Sequence, residues 1–334
     1  MEHESGTVRG LTAPAAVDSG TTKVYSRTMT RSIAALALLA GSAVLAAACG
    51  DDEPVAAPAA PDATAVASPT VPSMPAKPAP AEGVIHDGKV RVGDHSLLIE
   101  CEGTGTPVVV YETIIIGGRD AFRQVQDRLA GTTTVCTYDR ANLGASDRVP
   151  KPRTGRDVVD DAHALLEAAG VPAPYVLVGS SAGADHVVHH ARAYPDDVAA
   201  VLAWNPVLLQ PDWSPRLDED APAESVEYAH EFLAGTVDSP EGVDWFTSSE
   251  QAAALPTPTD VPLVLIHSNQ TQCEHVPDGC PGMYPVYLEL GAEYAAAWPG
   301  AVYATVALGH ELDRDAPDLV AGLIEDFVAS SRDG

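Results

Sequence analysis

Residues 85–334 alternate between short runs of β-branched and apolar residues and longer stretches with helical periodicity. Because parallel strands are joined by crossover connections that are usually helices, this alternation predicts a mostly parallel sheet with helices on both faces, an α/β fold. This alternation of predicted strands and helices is interrupted at about 206–260, where the chain is polar and proline-rich. We expect a partly helical insertion there, forming a small lid.

The first residues of this region predict a hairpin over 88–103 that turns at Gly93 and Asp94. Thr154 and Asp157 have the spacing of a capping box at the start of a helix. The predicted strands after the hairpin are 107–111, 132–138, 174–179, 198–204, 262–267 and 301–308. The predicted helices are 120–129, 156–169, 182–193, 286–298 and 315–330.

The first 48 residues have the features of an export signal. Arg31 precedes the apolar run 33–48, which is shorter than the roughly 20 residues that a transmembrane helix needs. Residues 45–52, LAAACGDD, resemble the lipobox of bacterial lipoproteins, which implies lipidation of Cys49 and tethering outside the cytoplasmic membrane. An ordinary secretory signal is the alternative. Met29 would give a more compact signal than Met1, so both are candidate starts.

A spacer follows the signal. Residues 49–84 are rich in proline and alanine and contain too few large apolar residues to form a core. Such segments remain semi-extended and separate a domain from its attachment point. The chain is therefore divided into an N-terminal extension with the export signal (1–48), a spacer (49–84) and a folded domain (85–334).

Charge and aromatic content exclude some classes of partner. The 334 residues include 47 acidic and 19 basic side chains, for a net charge of −28. Nucleic acids and anionic lipid surfaces require basic patches, so neither is an expected partner. With 5% aromatic residues, a base-stacking surface is also excluded. Contact with a membrane is expected only through a lipid anchor.

Four cysteines remain besides Cys49, which in an oxidising compartment predicts two disulfides. Four cysteines allow three pairings. We favour Cys101 with Cys136, which joins two predicted strands, and Cys273 with Cys280, which closes a short loop. A zinc site is the alternative, but the sequence contains no C-x-x-C pair.

The sequence Gly-Ser-Ser-Ala-Gly at 179–183 is a G-x-S-x-G motif. It lies between a predicted apolar strand and a predicted helix, the context in which a sharp turn exposes a nucleophilic serine. This assigns Ser181 as the nucleophile. A phosphate-binding turn is the alternative, but no G-x-G-x-x-G motif or P-loop lysine accompanies it.

A serine hydroxyl needs a base, and His310 follows the last predicted strand directly, in Gly-His-Glu. Three further histidines, His186, His189 and His190, have a spacing that could bind metal on one helix. We expect them to be packed or exposed helix residues, and we expect no metal or organic cofactor.

These residues, together with Tyr-Asp-Arg-Ala-Asn-Leu-Gly-Ala-Ser-Asp at 138–147, resemble the α/β-hydrolase superfamily over about 88–332. The similarity is to exported bacterial hydrolases carrying a Y-D-R-A-x-x-G-x-S-D segment. It implies an α/β-hydrolase fold in which Asp139 and Asp147 brace a loop.

The resemblance also implies an oxyanion hole formed by two backbone amides, those of Ala182 and Ile115. The family usually has glycine where this chain has Ile114 and Ile116. An unusually apolar wall is therefore expected beside the nucleophile.

The family's usual positions for the acid, 268–271 and 204–206, contain no carboxylate. We assign Glu274, because it keeps the order serine, acid, histidine and because a disulfide would hold its loop. Asp278, Asp212, Asn205 or the absence of an acid are the alternatives.

The predicted function is that of an exported serine hydrolase that cleaves a small carboxylic ester or lactone through an acyl-enzyme. A serine nucleophile disfavours the epoxide hydrolases and haloalkane dehalogenases of this superfamily, in which the resemblance would require aspartate. The alternatives are an amidase or proline-directed peptidase, and a non-catalytic ligand-binding lipoprotein.

Overall fold

The computed structural model describes residues 86–206, 213–268 and 280–332. The strands are β1 His86–Val92, β2 His95–Glu102, β3 Val108–Glu112, β4 Val135–Tyr138, β5 Arg153–Thr154, β6 Tyr175–Ser180, β7 Val198–Trp204, β8 Val243–Asp244, β9 Leu263–Ser268 and β10 Val302–Val306. The α-helices are α1 Arg123–Leu129, α2 Gly155–Ala168, α3 Ala182–Ala193, α4 Trp213–Asp220, α5 Ala223–Asp238, α6 Trp245–Ala253, α7 Cys280–Ala296, α8 Leu312–Asp315 and α9 Pro317–Arg332.

Eight strands form one sheet in the order β1-β2-β4-β3-β6-β7-β9-β10. Every pair from β4 to β10 is parallel, whereas β1 and β2 form an antiparallel hairpin at one edge. The predicted α/β class is therefore confirmed. Because the strands from β3 onwards run the same way, the loops that follow them meet along one edge of the sheet.

Each face of the sheet is covered by its own apolar cluster. Helices α2, α3 and α7 pack on one face, and α1, α8 and α9 pack on the other. The central strands β3, β6 and β9 are buried at every residue. Their sequences are continuous apolar runs for this reason, since a strand that is covered on both faces does not alternate.

Local signals at the hairpin and at α2 act as predicted. Val92 pairs with His95, which leaves a two-residue turn at Gly93 and Asp94. The turn places Gly93 at φ 55°, a conformation that glycine adopts without strain. At the start of α2, the Thr154 and Asp157 side chains form the predicted capping box.

Several predicted boundaries were wrong by a few residues. The strand predicted at 132–138 begins at Val135, and the helix predicted from Asp120 starts as a short 3₁₀ turn before α1. Helix α7 begins at Cys280 rather than at Val286, with Pro285 inside it. Pro285 is the sixth residue of α7 and has no amide hydrogen to donate to the carbonyl four residues earlier, so the helix lacks one intrahelical hydrogen bond there.

The insertion contains α4, α5, β8 and α6. It is tied to the main domain by a second, two-stranded parallel sheet, in which Arg153 pairs with Val243 and Thr154 with Asp244. Within the described ranges, no helix has the length and hydropathy needed to cross a bilayer.

Cys101 and Cys136 lie directly opposite each other on β2 and β4, and the structure joins them in a disulfide. Of the second predicted pair, Cys273 lies outside the described residues, and the side chain of Cys280 is not described either.

Candidate active site

Ser181 lies at the sharp turn between β6 and α3. Its backbone has φ 52° and ψ −120°, a left-handed conformation that is strained for any residue except glycine. A Cβ atom at Gly179 would overlap the backbone of Gly183, and one at Gly183 would overlap the carbonyl of Glu112. Both glycines of the motif are therefore required by close backbone approach.

The first turn of α3 holds the elbow in place. The Ser181 amide donates to the Trp204 carbonyl at 2.9 Å, and the Ser181 carbonyl accepts from the Ala184 amide at 2.8 Å. In the described part of the chain, the Ala182 amide makes no hydrogen bond. Because this amide lies at a helix N-terminus, it is suited to receive developing negative charge.

The segment after β3, residues 113–117, carries Ile115, the expected second amide donor, and we name it the oxyanion loop after that expectation. Among the described residues, the Ile115 amide also has no hydrogen-bond acceptor. The Ile115 side chain packs against an apolar cluster that contains Ala182. Ile116 is 59% exposed and has φ 53°, which is unusual for a β-branched residue. The loop residue that packs beside Ala182 is thus Ile115, whereas Ile116, one of the two positions where the family usually has glycine, is exposed.

A buried charged group lies against the oxyanion loop. Arg140 is 1% exposed and forms ion pairs with Glu112, at 3.3 Å, and with Glu241. Burial raises the pKa of the Glu112 carboxyl, and the Arg140 charge offsets part of that effect. Burial disfavours the Arg140 charge, but the two carboxylates outweigh it and raise the pKa of Arg140.

Sequence reasoning missed this group. Arg140 lies in the 138–147 segment that carried the family resemblance, so its presence was visible. Its partner Glu241 is 101 residues away along the chain, in the insertion. No local pattern marks a pair at that separation.

His310 follows β10 and is held at its backbone by Asn205. The Asn205 side-chain amide donates to the His310 carbonyl at 2.7 Å, and its oxygen accepts from the Ser268 amide at 2.7 Å. Asn205 thus ties the ends of β7 and β9 to the histidine loop. In these two hydrogen bonds Asn205, one of the alternatives to the acid, binds backbone groups of His310 and Ser268 and not the His310 ring.

Ser181 and His310 are brought to the same edge of the sheet, on loops connected through Trp204 and Asn205. No hydrogen bond joins the Ser181 hydroxyl to the His310 ring in the described structure. Catalytic hydrogen bonds are often long in sites without substrate and shorten when substrate binds.

Burial also controls the protonation of the two histidines near this edge. It lowers the pKa of His310, and the Glu311 carboxylate opposes the shift. His267, on β9, lies against Tyr287 and Tyr303. Burial, with a smaller contribution from His310, lowers the pKa of His267 to about 3. Both rings are therefore neutral at pH 7.

A comparison with protein families matches residues 107–252 to the model described as alpha/beta hydrolase fold. Among solved structures, an esterase from Thermogutta terrifontis is 19% identical with a TM-score of 0.52, covering 74% of this chain and 99% of its own. The enol-lactonase of Burkholderia xenovorans is 18% identical with a TM-score of 0.50, covering 72% and 99%. The haloalkane dehalogenase DatA of Agrobacterium tumefaciens is 18% identical with a TM-score of 0.52, covering 74% and 98%.

The chain has the α/β-hydrolase fold. Curated relatives match over shorter stretches. The "Uncharacterized hydrolase YraK" of Bacillus subtilis is 30% identical over 128 residues, which are 38% of this chain and 46% of the relative. The "Probable transporter efuK" of Hormonema carpetanum is 35% identical over 103 residues, 28% of this chain and 14% of the relative. The chain thus spans less than half the length of both relatives.

In this α/β-hydrolase fold, Asp139 and Asp147 brace loops as expected. Asp139 accepts from the amides of Arg119, at 3.1 Å, and Ala145, at 3.0 Å. Asp147 accepts from the Ser96 amide at 2.9 Å. Their carboxylates bind backbone amides and so fix the loops beside the hairpin.

The predicted acid Glu274 and the alternatives Asp278 and Asp212 lie outside the described residues. A different carboxylate, Asp313, is buried near the site in α8. It accepts a hydrogen bond from the Tyr111 hydroxyl at 3.1 Å, and burial raises its pKa to about 6.

The three histidines of α3 are buried helix residues. His186 stacks on Trp245 with ring centroids 5.1 Å apart, and His190 meets Tyr194 edge-on at 5.5 Å. Burial lowers the pKa of His189 to about 4 and that of His190 to about 3. Within the described ranges, no group of three or more potential ligands is arranged to hold a metal ion.

Proposed function

We propose that this α/β-hydrolase-fold chain is a serine hydrolase that cleaves a carboxylic ester or a lactone through an acyl-enzyme. The observation that carries the proposal is the strained Ser181 at the β6–α3 turn, beside the amides of Ala182 and Ile115, which have no acceptor among the described residues. Strain in that position persists only where the surroundings enforce it, and such sites are typically functional.

In the proposed first half-reaction, the Ser181 oxygen attacks the substrate carbonyl carbon while His310 takes the hydroxyl proton. The carbonyl oxygen becomes an oxyanion, which receives hydrogen bonds from the amides of Ala182 and Ile115. When the tetrahedral intermediate collapses, the alkoxide leaves and accepts the proton from the imidazolium. The acyl group remains bonded to Ser181.

In the second half-reaction, His310 removes a proton from water, and the hydroxide attacks the acyl carbon. Collapse of this intermediate releases the carboxylic acid and returns the proton to Ser181. The lowered pKa of His310 supports this role, since the ring is then neutral and able to accept a proton near pH 7.

For the third member of a triad we propose Glu274. An acid in this role holds the imidazole in the required tautomer and stabilises the imidazolium. Support comes from sequence order and from the short loop that a bridge between Cys273 and Cys280 would close. Asp278 and Asp212 are the competing candidates.

The surroundings of the nucleophile favour a substrate with an apolar acyl or alcohol group. Ala182 and Ile115 are packed with apolar side chains that the insertion and α7 contribute: Ala229, Leu233, Val243, Trp245, Val286 and Leu290. An apolar group placed there would remove water from the reacting carbonyl, which strengthens the hydrogen bonds to the oxyanion. The esterase and the enol-lactonase among the structural neighbours are consistent with such a substrate.

The deciding experiment labels the protein with a fluorophosphonate probe and measures turnover of p-nitrophenyl esters, lactones and aminoacyl anilides. We expect labelling at Ser181 and faster hydrolysis of p-nitrophenyl butyrate than of the acetate. Ser181→Ala should abolish labelling and lower kcat by at least about 10³-fold. Ser180→Ala is the matched control, because Ser180 is the adjacent buried serine on β6, and it should retain both signals.

Other results would identify another function. Labelled protein that cleaves only anilides would be an amidase or peptidase. Folded protein that is not labelled would be a ligand-binding protein, and the hydrolase proposal would be wrong.

We also propose that the protein is exported and tethered through a lipidated Cys49. Metabolic labelling with palmitate should mark the wild type, and Cys49→Ser should be unlabelled and either released or left unprocessed. Unlabelled wild type that stays in the membrane fraction would contradict the tether without affecting the hydrolase proposal.

A further inference from the structure

Besides its ion pairs with Glu112 and Glu241, Arg140 also hydrogen-bonds to the backbone of the oxyanion loop. Its guanidinium donates to the Thr113 carbonyl and to the Ile114 carbonyl, both at 2.8 Å. These two carbonyls are consecutive in the loop that carries the Ile115 amide. The planar fork of an arginine can hold two neighbouring acceptors at once, which a lysine ammonium cannot do with the same geometry.

These contacts fix the direction of the loop amides. In a trans peptide the C=O and the N–H of one unit point in opposite directions. Because the Thr113 and Ile114 carbonyls face Arg140, the amides of Ile114 and Ile115 face away from it. The Ile115 amide is therefore oriented by a side chain that never touches the reacting atoms.

Glu241 adds a contribution from the insertion. Its carboxylate is 1% exposed, pairs with Arg140 and accepts from the Ile116 amide at 3.4 Å. Its backbone carbonyl accepts from the Asn142 side chain, also at 3.4 Å. Ile116 is the residue held in the left-handed conformation, so a buried carboxylate of the insertion restrains the strained turn of the oxyanion loop.

We propose that Arg140 and Glu241 act as positioning residues, which together we call the loop clamp. The loop clamp orients the Ile115 amide toward the oxyanion. It also makes the oxyanion hole dependent on the docked insertion. The inference rests on the proposed hydrolase function for its catalytic consequence. Its structural consequence, an ordered oxyanion loop, is measurable without any substrate.

The test compares Arg140→Lys and Glu241→Gln with Arg153→Lys. Arg153 is a matched control, because it is also buried and pairs with Asp161 at 2.6 Å, and among the described residues its side chain makes no hydrogen bond or ion pair with the oxyanion loop. For each variant we would measure kcat and KM on p-nitrophenyl butyrate, the inhibition constant of a trifluoromethyl ketone, and hydrogen exchange of the peptide covering 112–118.

Both clamp variants should lower kcat by roughly 10–100-fold, the size expected when one oxyanion donor is misplaced, with KM changed by less than about threefold. Trifluoromethyl ketone binding should weaken by a factor similar to the loss in kcat, since its adduct mimics the tetrahedral intermediate. Exchange in 112–118 should become faster. Arg153→Lys should leave kcat within about threefold and that exchange unchanged, whatever its effect on the melting temperature.

The outcomes separate the two proposals. If wild type is not labelled by the fluorophosphonate, the hydrolase function fails, and the exchange experiment still decides the loop clamp. If wild type is active and the clamp variants match Arg153→Lys in kcat and in exchange, the loop clamp is wrong. Should Arg140→Lys fail to fold, the isosteric Glu241→Gln decides alone.

Discussion

Two non-glycine residues in the left-handed region flank the proposed oxyanion hole, Ser181 at φ 52° and Ile116 at φ 53°. Each such residue costs on the order of 1–3 kcal/mol, so the surrounding contacts must enforce the conformation. Ser181 is held by its bond to the Trp204 carbonyl, and Ile116 by the Glu241 carboxylate. Strain at the residue scale is thus concentrated where substrate would react.

At this scale, the lowered pKa of His310 predicts the acid limb of activity. Its midpoint in a profile of kcat/KM against pH should lie below the ordinary histidine value of about 6.5. The nearby Glu311 carboxylate raises the pKa of His310, so Glu311→Gln should move the limb further toward low pH. A limb at or above pH 6.5, or a shift to higher pH in Glu311→Gln, would contradict the assignment of His310 as base.

The identity of the acid is tested by three isosteric changes. If Glu274 orients His310, Glu274→Gln should keep the fold and lower kcat by roughly 10²–10⁴-fold, and combining it with Ser181→Ala should add little. Asp278→Asn and Asp212→Asn should stay within about tenfold of wild type. An inactive Asp278→Asn beside an active Glu274→Gln would move the acid four residues along the chain.

At the scale of elements, α7 packs so closely on β9 that one position requires glycine. A Cβ atom at Gly291 would lie 2.3 Å from a carbon of the His267 ring, a severe overlap, and this ring is buried between α7 and β10. In α9, by contrast, a Cβ atom at Gly322 would meet nothing within 4 Å. Both glycines are helical, but the Cβ position of Gly291 is crowded and that of Gly322 is open.

We therefore expect opposite effects from the same substitution. Gly291→Ala should destabilise the protein by about 1–3 kcal/mol through overpacking, whereas Gly322→Ala should stabilise it by about 0.5–1 kcal/mol, because alanine is the better helix former. Urea denaturation of both variants measures this. Equal shifts in the two midpoints would show that α7 does not press on His267.

At the scale of the whole molecule, four buried histidines predict sensitivity to mild acid. Burial lowers the pKa of His189 to about 4 and that of His190 and His267 to about 3, and it lowers the pKa of His186 as well. Between those values and about 6.5 the unfolded chain binds protons that the folded chain does not, so stability falls as pH falls through this window.

The melting temperature should accordingly drop between pH 7 and pH 5. His189 alone accounts for up to about 2 kcal/mol at pH 5. Asp313 acts in the opposite sense, since its raised pKa lets the folded state bind a proton first, but it offsets only about 1 kcal/mol. His189→Gln should reduce the pH dependence. An unchanged melting temperature at pH 5 would mean that these rings are solvated.

Much of the architecture follows from the sequence alone, because its causes are local. The β/α alternation, the hairpin turn at Gly93 and the capping box of Thr154 depend on residues within a few positions of each other. The Ser181 elbow is also local, since the strand, the two glycines and the helix lie together in 175–193. Periodicity and spacing are sufficient to read such features.

Only the tertiary structure decided how the site is held. Asn205 donates to the His310 carbonyl, 105 positions away along the chain, and Arg140 pairs with Glu241, which is 101 positions away. In each contact a side chain binds a carbonyl or a charged group on a distant element. Judged from the sequence alone, many other polar residues could be that partner. The path of the folded chain determines which residue is the partner. A partner is needed because a buried charge or amide without one costs folding free energy.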